Sequence, residues 1–277
     1  MVEAFTEIDG FRCYAPELAR SYTDYPSEGF DVTAAVEASS FWCRTRTRII
    51  RDVIRRFTDP SRTLDMLEIG CGIGGVVAEL RPLGYLRLTA SEIYLQALQY
   101  ARARVSGVQF IQLDATAMPF RSEFDIVGAF DVLEHIADDE AVMRGVAAAL
   151  RPNGLFLVTV PQHQWLWSEL DEIVCHKRRY ARAELLARLR RAGFDIVFCS
   201  SFVTLLFPAM AASRMASKMR APSADRKAAF AAEVTLPPLA NRMCDALMRV
   251  DEAALHAGIS LPFGGSLLAV ARKTGSW

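Results

Sequence analysis

The chain has 277 residues, 52% hydrophobic and 23% charged, which is enough to bury one sizeable core and is not the composition of a disordered chain. Its 32 Lys and Arg balance 32 Asp and Glu, so no overall field recruits nucleic acid or an anionic membrane, and neither is expected as a partner. Six cysteines at 13, 43, 71, 175, 199 and 244 form no CxxC pair, and the four histidines show no metal-ligand spacing, so reduced thiols and no metal are expected.

The N-terminal MVEAFTEIDGFRCY carries acidic residues where a secretion signal has basic ones and lacks an apolar run, which makes the cytoplasm the expected compartment. Residues 1–30, rich in Tyr, Pro, Gly and Asp without a period, read as an irregular arm. From Asp31 to Phe57 one helical pattern follows, with Phe41, Trp42, Ile49, Ile50, Val53, Ile54 and Phe57 on its apolar face. The arginines of this helix, Arg44 to Arg56, read as its solvated side, apart from Arg46.

Between Leu64 and Val160 short apolar runs alternate with helical stretches, the rhythm of a parallel sheet wound with crossover helices. Strands are predicted at 64–69, 86–91, 108–113, 125–130 and 154–160, the last entered through the turn Pro152-Asn153-Gly154. An aromatic and polar insertion follows Pro161, then a helix at 181–192, a strand in FDIVFCSSF, a cap helix within 202–220, a loop from Arg220 to Ala232, a helix at 238–257 and a final strand at 264–273. The stretch 202–220 contains Pro208, Arg214 and Lys218 and is too interrupted to span a bilayer.

The segment Leu67-Glu68-Ile69-Gly70-Cys71-Gly72-Ile73-Gly74-Gly75 runs from a strand through a glycine turn into a helix. Glycines there let a ligand approach the main chain, and the helix start offers free N–H groups. By spacing alone Gly70, Gly72 and Gly75 also satisfy GxGxxG, so a nicotinamide-dependent oxidoreductase stands as an alternative. Glu68, two positions before the first glycine, would repel a pyrophosphate and favours a cationic ligand.

With that acidic residue in place, E-I-G-C-G-I-G is similar to the first motif of the class I S-adenosylmethionine-dependent methyltransferases, and further matches extend the resemblance over residues 64–160. Glu92 and Ile93 stand at the end of the second strand, where an acidic residue accepts from both ribose hydroxyls. Leu113-Asp114-Ala115 resembles the adenine site, Asp131-Val132-Leu133-Glu134-His135 the motif beside the methionine end, and Arg151-Pro152-Asn153-Gly154 the turn before the fifth strand. The flanking F-W-C-R-T-R-T-R and H-K-R-R-Y look like bacterial small-molecule methyltransferases, where Trp42 and Arg46 would close over the methionine part of the cofactor.

The resemblance implies a Rossmann-like α/β fold with a seven-stranded, mostly parallel sheet. Residues 1–60 would form an N-terminal arm and helix, 61–161 the S-adenosylmethionine-binding core, and 162–277 the acceptor-site insertion, cap helices and final strands of the same domain. It implies methyl transfer to the oxygen or nitrogen of a small molecule, with a catalytically divergent binding protein as the alternative. Orientation, exclusion of water and a proton acceptor are what such a transfer needs. His163, His176 and Tyr180 in the insertion are the candidates for the last, His176 being kept neutral by the cations around it in His-Lys-Arg-Arg-Tyr.

Overall fold

A computed structural model describes residues 5–21, 27–218 and 235–275. The sheet opens with β1 (Thr6–Ile8) and β2 (Phe11–Cys13), continues through β3 (Leu64–Ile69), β4 (Leu86–Glu92), β5 (Gln109–Gln112), β6 (Phe124–Phe130) and β7 (Leu150–Pro161), and ends with β8 (Phe194–Phe202) and β9 (Ser266–Lys273). Their spatial order is β1-β2-β5-β4-β3-β6-β7-β9-β8. Strands β4, β5, β6 and β7 extend β3 in parallel, whereas β9 runs antiparallel between β7 and β8.

The chain winds outward from β3 through β4 to β5, then returns to lay β6 against the other side of β3. A crevice therefore opens above the carboxyl ends of β3 and β6, where strand order reverses and open α/β sheets bind ligands. The central strand LDMLEI is buried at five of its six residues, so its near-continuous apolar run reflects helices covering both faces. On one face lie α2 (Phe41–Phe57), α3 (Gly75–Leu80) and α9 (Pro238–His256), through Ile50, Val76 and Met248; on the other lie α5 (Asp139–Ala149) and α7 (Arg182–Arg191), through Val142 and Leu185.

Three expectations change. The sheet of seven strands gains two, because the supposed irregular arm contains the β1–β2 hairpin, with β2 pairing to β5. Its turn is Asp9-Gly10, both at positive φ (52° and 76°), the geometry that a two-residue hairpin needs. The single helix over 31–57 is two, α1 (Ser27–Val36) and α2, because the Ser40 hydroxyl caps the second by accepting from the Cys43 N–H at 3.5 Å. Arg44 and Arg48 are not a solvated face; Arg48 reaches Glu252 at 2.5 Å and Asp245 at 3.1 Å and ties α2 to α9.

Beyond β7 come α6 (Glu169–Ile173), α7, β8 and α8 (Phe207–Ser217), the last held to the insertion by Arg214 on Ser168 and Lys218 on the Trp165 carbonyl. The α4 helix (Leu95–Arg104) packs beside β2, completing that edge. The loop expected from Arg220 to Ala232 lies outside the described residues. Among the described residues, no helix is long and apolar enough to cross a membrane.

Candidate cofactor site

The ends of β3, β4, β5 and β6 surround a cavity of about 270 Å³. Each strand delivers its next residues to the wall: Gly70 and Gly72 after β3, Glu92, Ile93 and Tyr94 at the end of β4, Asp114 and Ala115 after β5, and Asp131 and Val132 after β6. Phe30 and Thr33 of α1 cover it, joined by His135, Ile136 and Cys175.

The first turn requires its glycines. Gly70 has φ +65°, and a Cβ there would lie 2.6 Å from a methyl of Val132. Gly72 has φ +53° and open space where a Cβ would stand, so main chain is presented to the cavity without a side chain between. Across it, the Glu92 carboxylate accepts from the N–H groups of Gly72 at 2.9 Å, Ile93 at 2.7 Å and Tyr94 at 3.4 Å. Burial pushes this carboxyl upward against the pull of those three donors. Asp114 accepts from the Thr116 N–H and hydroxyl with one oxygen, both at 2.8 Å, so its second oxygen remains for a ligand.

At the other end stands Asp131, at φ +56°. Arg46 donates to its carboxylate and, at 2.5 Å, to the Phe130 carbonyl, while Thr159 donates at 3.2 Å. Glu68 lies below the floor, 2% exposed, with one carboxyl oxygen lacking a partner. Burial pushes its carboxyl up to about 8, against the attraction of Arg46. It does not line the cavity, whose wall instead takes in Ile69 and Gly70.

Residues 67–158 match the methyltransferase-domain family model. A probable S-adenosylmethionine-dependent methyltransferase of Mycobacterium tuberculosis is 28% identical over 60% of this chain and 61% of its own length. A ubiquinone biosynthesis O-methyltransferase of Idiomarina loihiensis is 29% identical over 41% of this chain and 49% of its own. The chain thus spans about half to three fifths of the length of these curated relatives. The solved phosphoethanolamine N-methyltransferase 2 of Haemonchus contortus, in complex with S-adenosyl-L-methionine, superposes with TM-score 0.58 over 94% of this chain and 59% of that one, at 18% identity.

Residues 67–158 form a class I S-adenosylmethionine-dependent methyltransferase domain. The expected Rossmann-like fold and cofactor class are thereby borne out, and the cavity fits that cofactor by its donor set. Three carboxylates, Glu92, Asp114 and Asp131, face one space, which suits a ligand carrying hydroxyls, an amine and two positive groups. Gly72 leaves room for it against the main chain.

Around this methyltransferase domain, several sequence-predicted residues sit elsewhere. Trp42 does not close over the cavity; it stacks on Phe202 at 5.7 Å and 4°, within the core layer under the sheet. Tyr180 is fully buried, and its hydroxyl donates to Asp139 at 2.6 Å. Burial and that bond push the phenol far upward, which removes Tyr180 as an acid–base group. His163 lies outside the cavity wall, packed between Trp165 and Phe207 at 5.7 and 5.5 Å, at φ +66°. Its Nε2 is buried without a partner, and burial, then Arg179, pushes the imidazole downward.

His176 also lies outside the wall, and its neighbours correct the expected electrostatics. Nδ1 meets Asp171 at 2.8 Å and Nε2 faces Glu134 at 3.9 Å, so carboxylates surround a ring that sequence reasoning had placed among cations. The residue missed is His135, named from the sequence only as part of the motif beside the methionine end. It lines the cavity and touches His176 edge-on, ring centroids 4.6 Å apart. Burial, then His176, pushes it down to about 3, so it stays neutral. Although the sequence shows no metal-ligand spacing, Glu134, His135 and His176 converge here. Histidine spacing could not show this, because Glu134 and His135 come from one turn after β6 and His176 from beyond β7.

Proposed function

We propose that this chain transfers a methyl group from S-adenosylmethionine to an oxygen or nitrogen of a small-molecule acceptor. The observation that carries the reading is the convergence of Glu92, Asp114 and Asp131 on one cavity at the reversal of strand order. The cofactor, when bound, supplies an electrophilic methyl on a positively charged sulfur. Glu92, beside Ile93, accepts from the ribose hydroxyls and is already oriented by three N–H donors. The second oxygen of Asp114 accepts from the adenine amine, with Ala115 against the ring. Gly70 and Gly72 let the chain of the cofactor lie on the main chain. Asp131, fixed by Arg46, receives the ammonium end, while Glu68, buried and outside the cavity wall, makes no contact with the cofactor.

In such an in-line displacement the protein's work is to orient the reactants and take up the acceptor's proton. His163 is the imidazole best suited to that role, since its Nε2 carries no hydrogen bond and the ring is held neutral. The balanced charge of the chain supports a small acceptor over nucleic acid. The relatives named for ubiquinone biosynthesis and phosphoethanolamine support O- or N-methylation. Residues 162–277 complete the same domain, a reading supported by β8 and β9 joining the sheet beside β7.

The test is S-adenosylhomocysteine release by the purified chain over a panel of phenols, hydroxy acids and amines, with protein and RNA as controls. Release with a hydroxyl or amine compound supports the reading, and His163→Ala should then lower turnover by roughly 10²–10⁴-fold at unchanged cofactor affinity. Release with protein or RNA alone would overturn the acceptor class.

A further inference from the structure

Beside the cofactor cavity, one carboxylate and two imidazoles bring their ligating atoms within 4.8 Å of one another. Glu134 is fully buried, and neither carboxylate oxygen has a hydrogen-bond partner. A buried carboxylate without donors is costly unless a cation compensates it. The guanidiniums of Arg46 and Arg179 are committed to Asp131 and Asp171.

The two histidines are held as ligands are held. The Lys177 N–H donates to the Glu134 carbonyl at 2.6 Å, which pins the His176 segment against the turn after β6. Asp171 grips Nδ1 of His176 at 2.8 Å and is itself gripped by Arg179 at 2.8 and 3.0 Å. With Nδ1–H donating to Asp171, the lone pair of Nε2 points toward Glu134, 3.9 Å away. A carboxylate on the far nitrogen is the usual outer support of a metal-bound histidine. One nitrogen of His135 is likewise engaged by the Val174 backbone, and its ring lines the cavity.

We propose that Glu134, His135 and His176 hold one divalent ion of the zinc class, with an open position toward the cavity for an oxygen-bearing acceptor. The acceptor half of this inference rests on the methyltransferase reading; the ligand set does not. Two imidazoles and a carboxylate select first-row transition ions over magnesium or calcium, and three protein ligands leave a coordination position open. Tetrahedral bonds of about 2.0–2.2 Å space ligand atoms about 3.4 Å apart, so the Glu134–His176 pair closes by about half an ångström on binding. A hydroxyl bound there gives up its proton more readily as its pKa falls, with His163 as the acceptor on the proposed reading. Its oxygen then forms the bond to the methyl carbon while the carbon–sulfur bond breaks, the electron pair staying on sulfur.

The experiment uses the metal-stripped, untagged chain, titrated with Zn²⁺ by calorimetry and with Co²⁺ by visible absorption, alongside S-adenosylhomocysteine on the same samples. One Zn²⁺ per chain is expected, with at least tenfold weaker binding in His176→Ala and Glu134→Gln. Asp171→Asn, which touches no metal, should weaken it by about 10–100-fold. S-adenosylhomocysteine binding by the variants shows that they fold. Zinc-edge X-ray absorption of the wild type, independent of any variant, should show two imidazoles per zinc. Absence of stoichiometric uptake, a zinc shell without imidazole, or uptake that all three folded variants leave unchanged would overturn the site. Zinc binding without S-adenosylhomocysteine binding would sink the methyltransferase reading instead and leave the ligand set standing.

Discussion

Glu92, which closes β4, and Asp171, in α6, are both buried carboxylates, yet they are used in opposite ways. Glu92 takes its hydrogen bonds from three main-chain N–H groups and still faces a cavity. Asp171 takes a guanidinium fork from Arg179, the ring of His176 and the Ser168 N–H, and does not line that cavity. Burial raises both; at Asp171 the His176 and Arg179 contacts outweigh it and hold the carboxyl at about 2, whereas Glu92 stays above its ordinary value. Held by main-chain N–H groups at a cavity wall, Glu92 remains ready for a ligand; forked by Arg179 away from that wall, Asp171 has become structure.

The largest expected effect breaks the second arrangement. Arg179→Ala leaves Asp171 buried without its guanidinium fork, and such a loss costs about 3–5 kcal/mol of stability. Urea unfolding checks this; a loss below about 1 kcal/mol would mean that the insertion is pinned by something else. Cofactor affinity measured under folded conditions should scarcely move.

Glu68 gives the next effect, and its sign is opposite to that of Asp171. Its carboxyl is raised from 4.5 to about 8, so between those values the folded chain holds a proton that the unfolded chain has released. Stability conferred by that proton is therefore lost as pH rises through this window. Glu68→Gln should flatten the decline and stabilise the ligand-free protein above pH 8, by up to a few kcal/mol at about 1.4 kcal/mol per pKa unit. Parallel wild-type and variant melting curves across pH 5–9 would contradict the burial of an ionisable Glu68.

What was legible follows the same division. Strand β3 matches its predicted bounds, and Glu92, Asp114 and Asp131 stand at or just past the ends of β4, β5 and β6, so local pattern places them at the cavity. The Asp9-Gly10 hairpin and the Ser40 cap had local signals that the reading passed over. His176, Tyr180 and Trp42 had none. Their positions depend on Asp171, Asp139 and Phe202, partners chosen by the packing of separate elements. Residues 162–180 were placed correctly after a strand end, but neither their internal pairing nor the meeting of His176 with Glu134 leaves a periodic trace.

The smallest effect separates structure from chemistry within the insertion. Tyr180→Phe removes the hydrogen bond to Asp139, costing about 1.5–3 kcal/mol as a bond to a charged group. Turnover on an accepted substrate should stay within about twofold when assayed well below the melting temperature. A large fall in kcat with stability unchanged would restore Tyr180 as a reacting group.

The central claim is that the carboxylates at the strand ends bind the cofactor, and titration calorimetry of S-adenosylhomocysteine against wild type and Glu92→Ala tests it most directly. The account predicts stoichiometric binding by the wild type and an affinity loss of about 10–100-fold in the variant, the worth of about 1.5–3 kcal/mol for hydrogen bonding to a charged acceptor. A folded Glu92→Ala protein that binds S-adenosylhomocysteine as tightly as wild type, or a wild type that does not bind it, would contradict the claim.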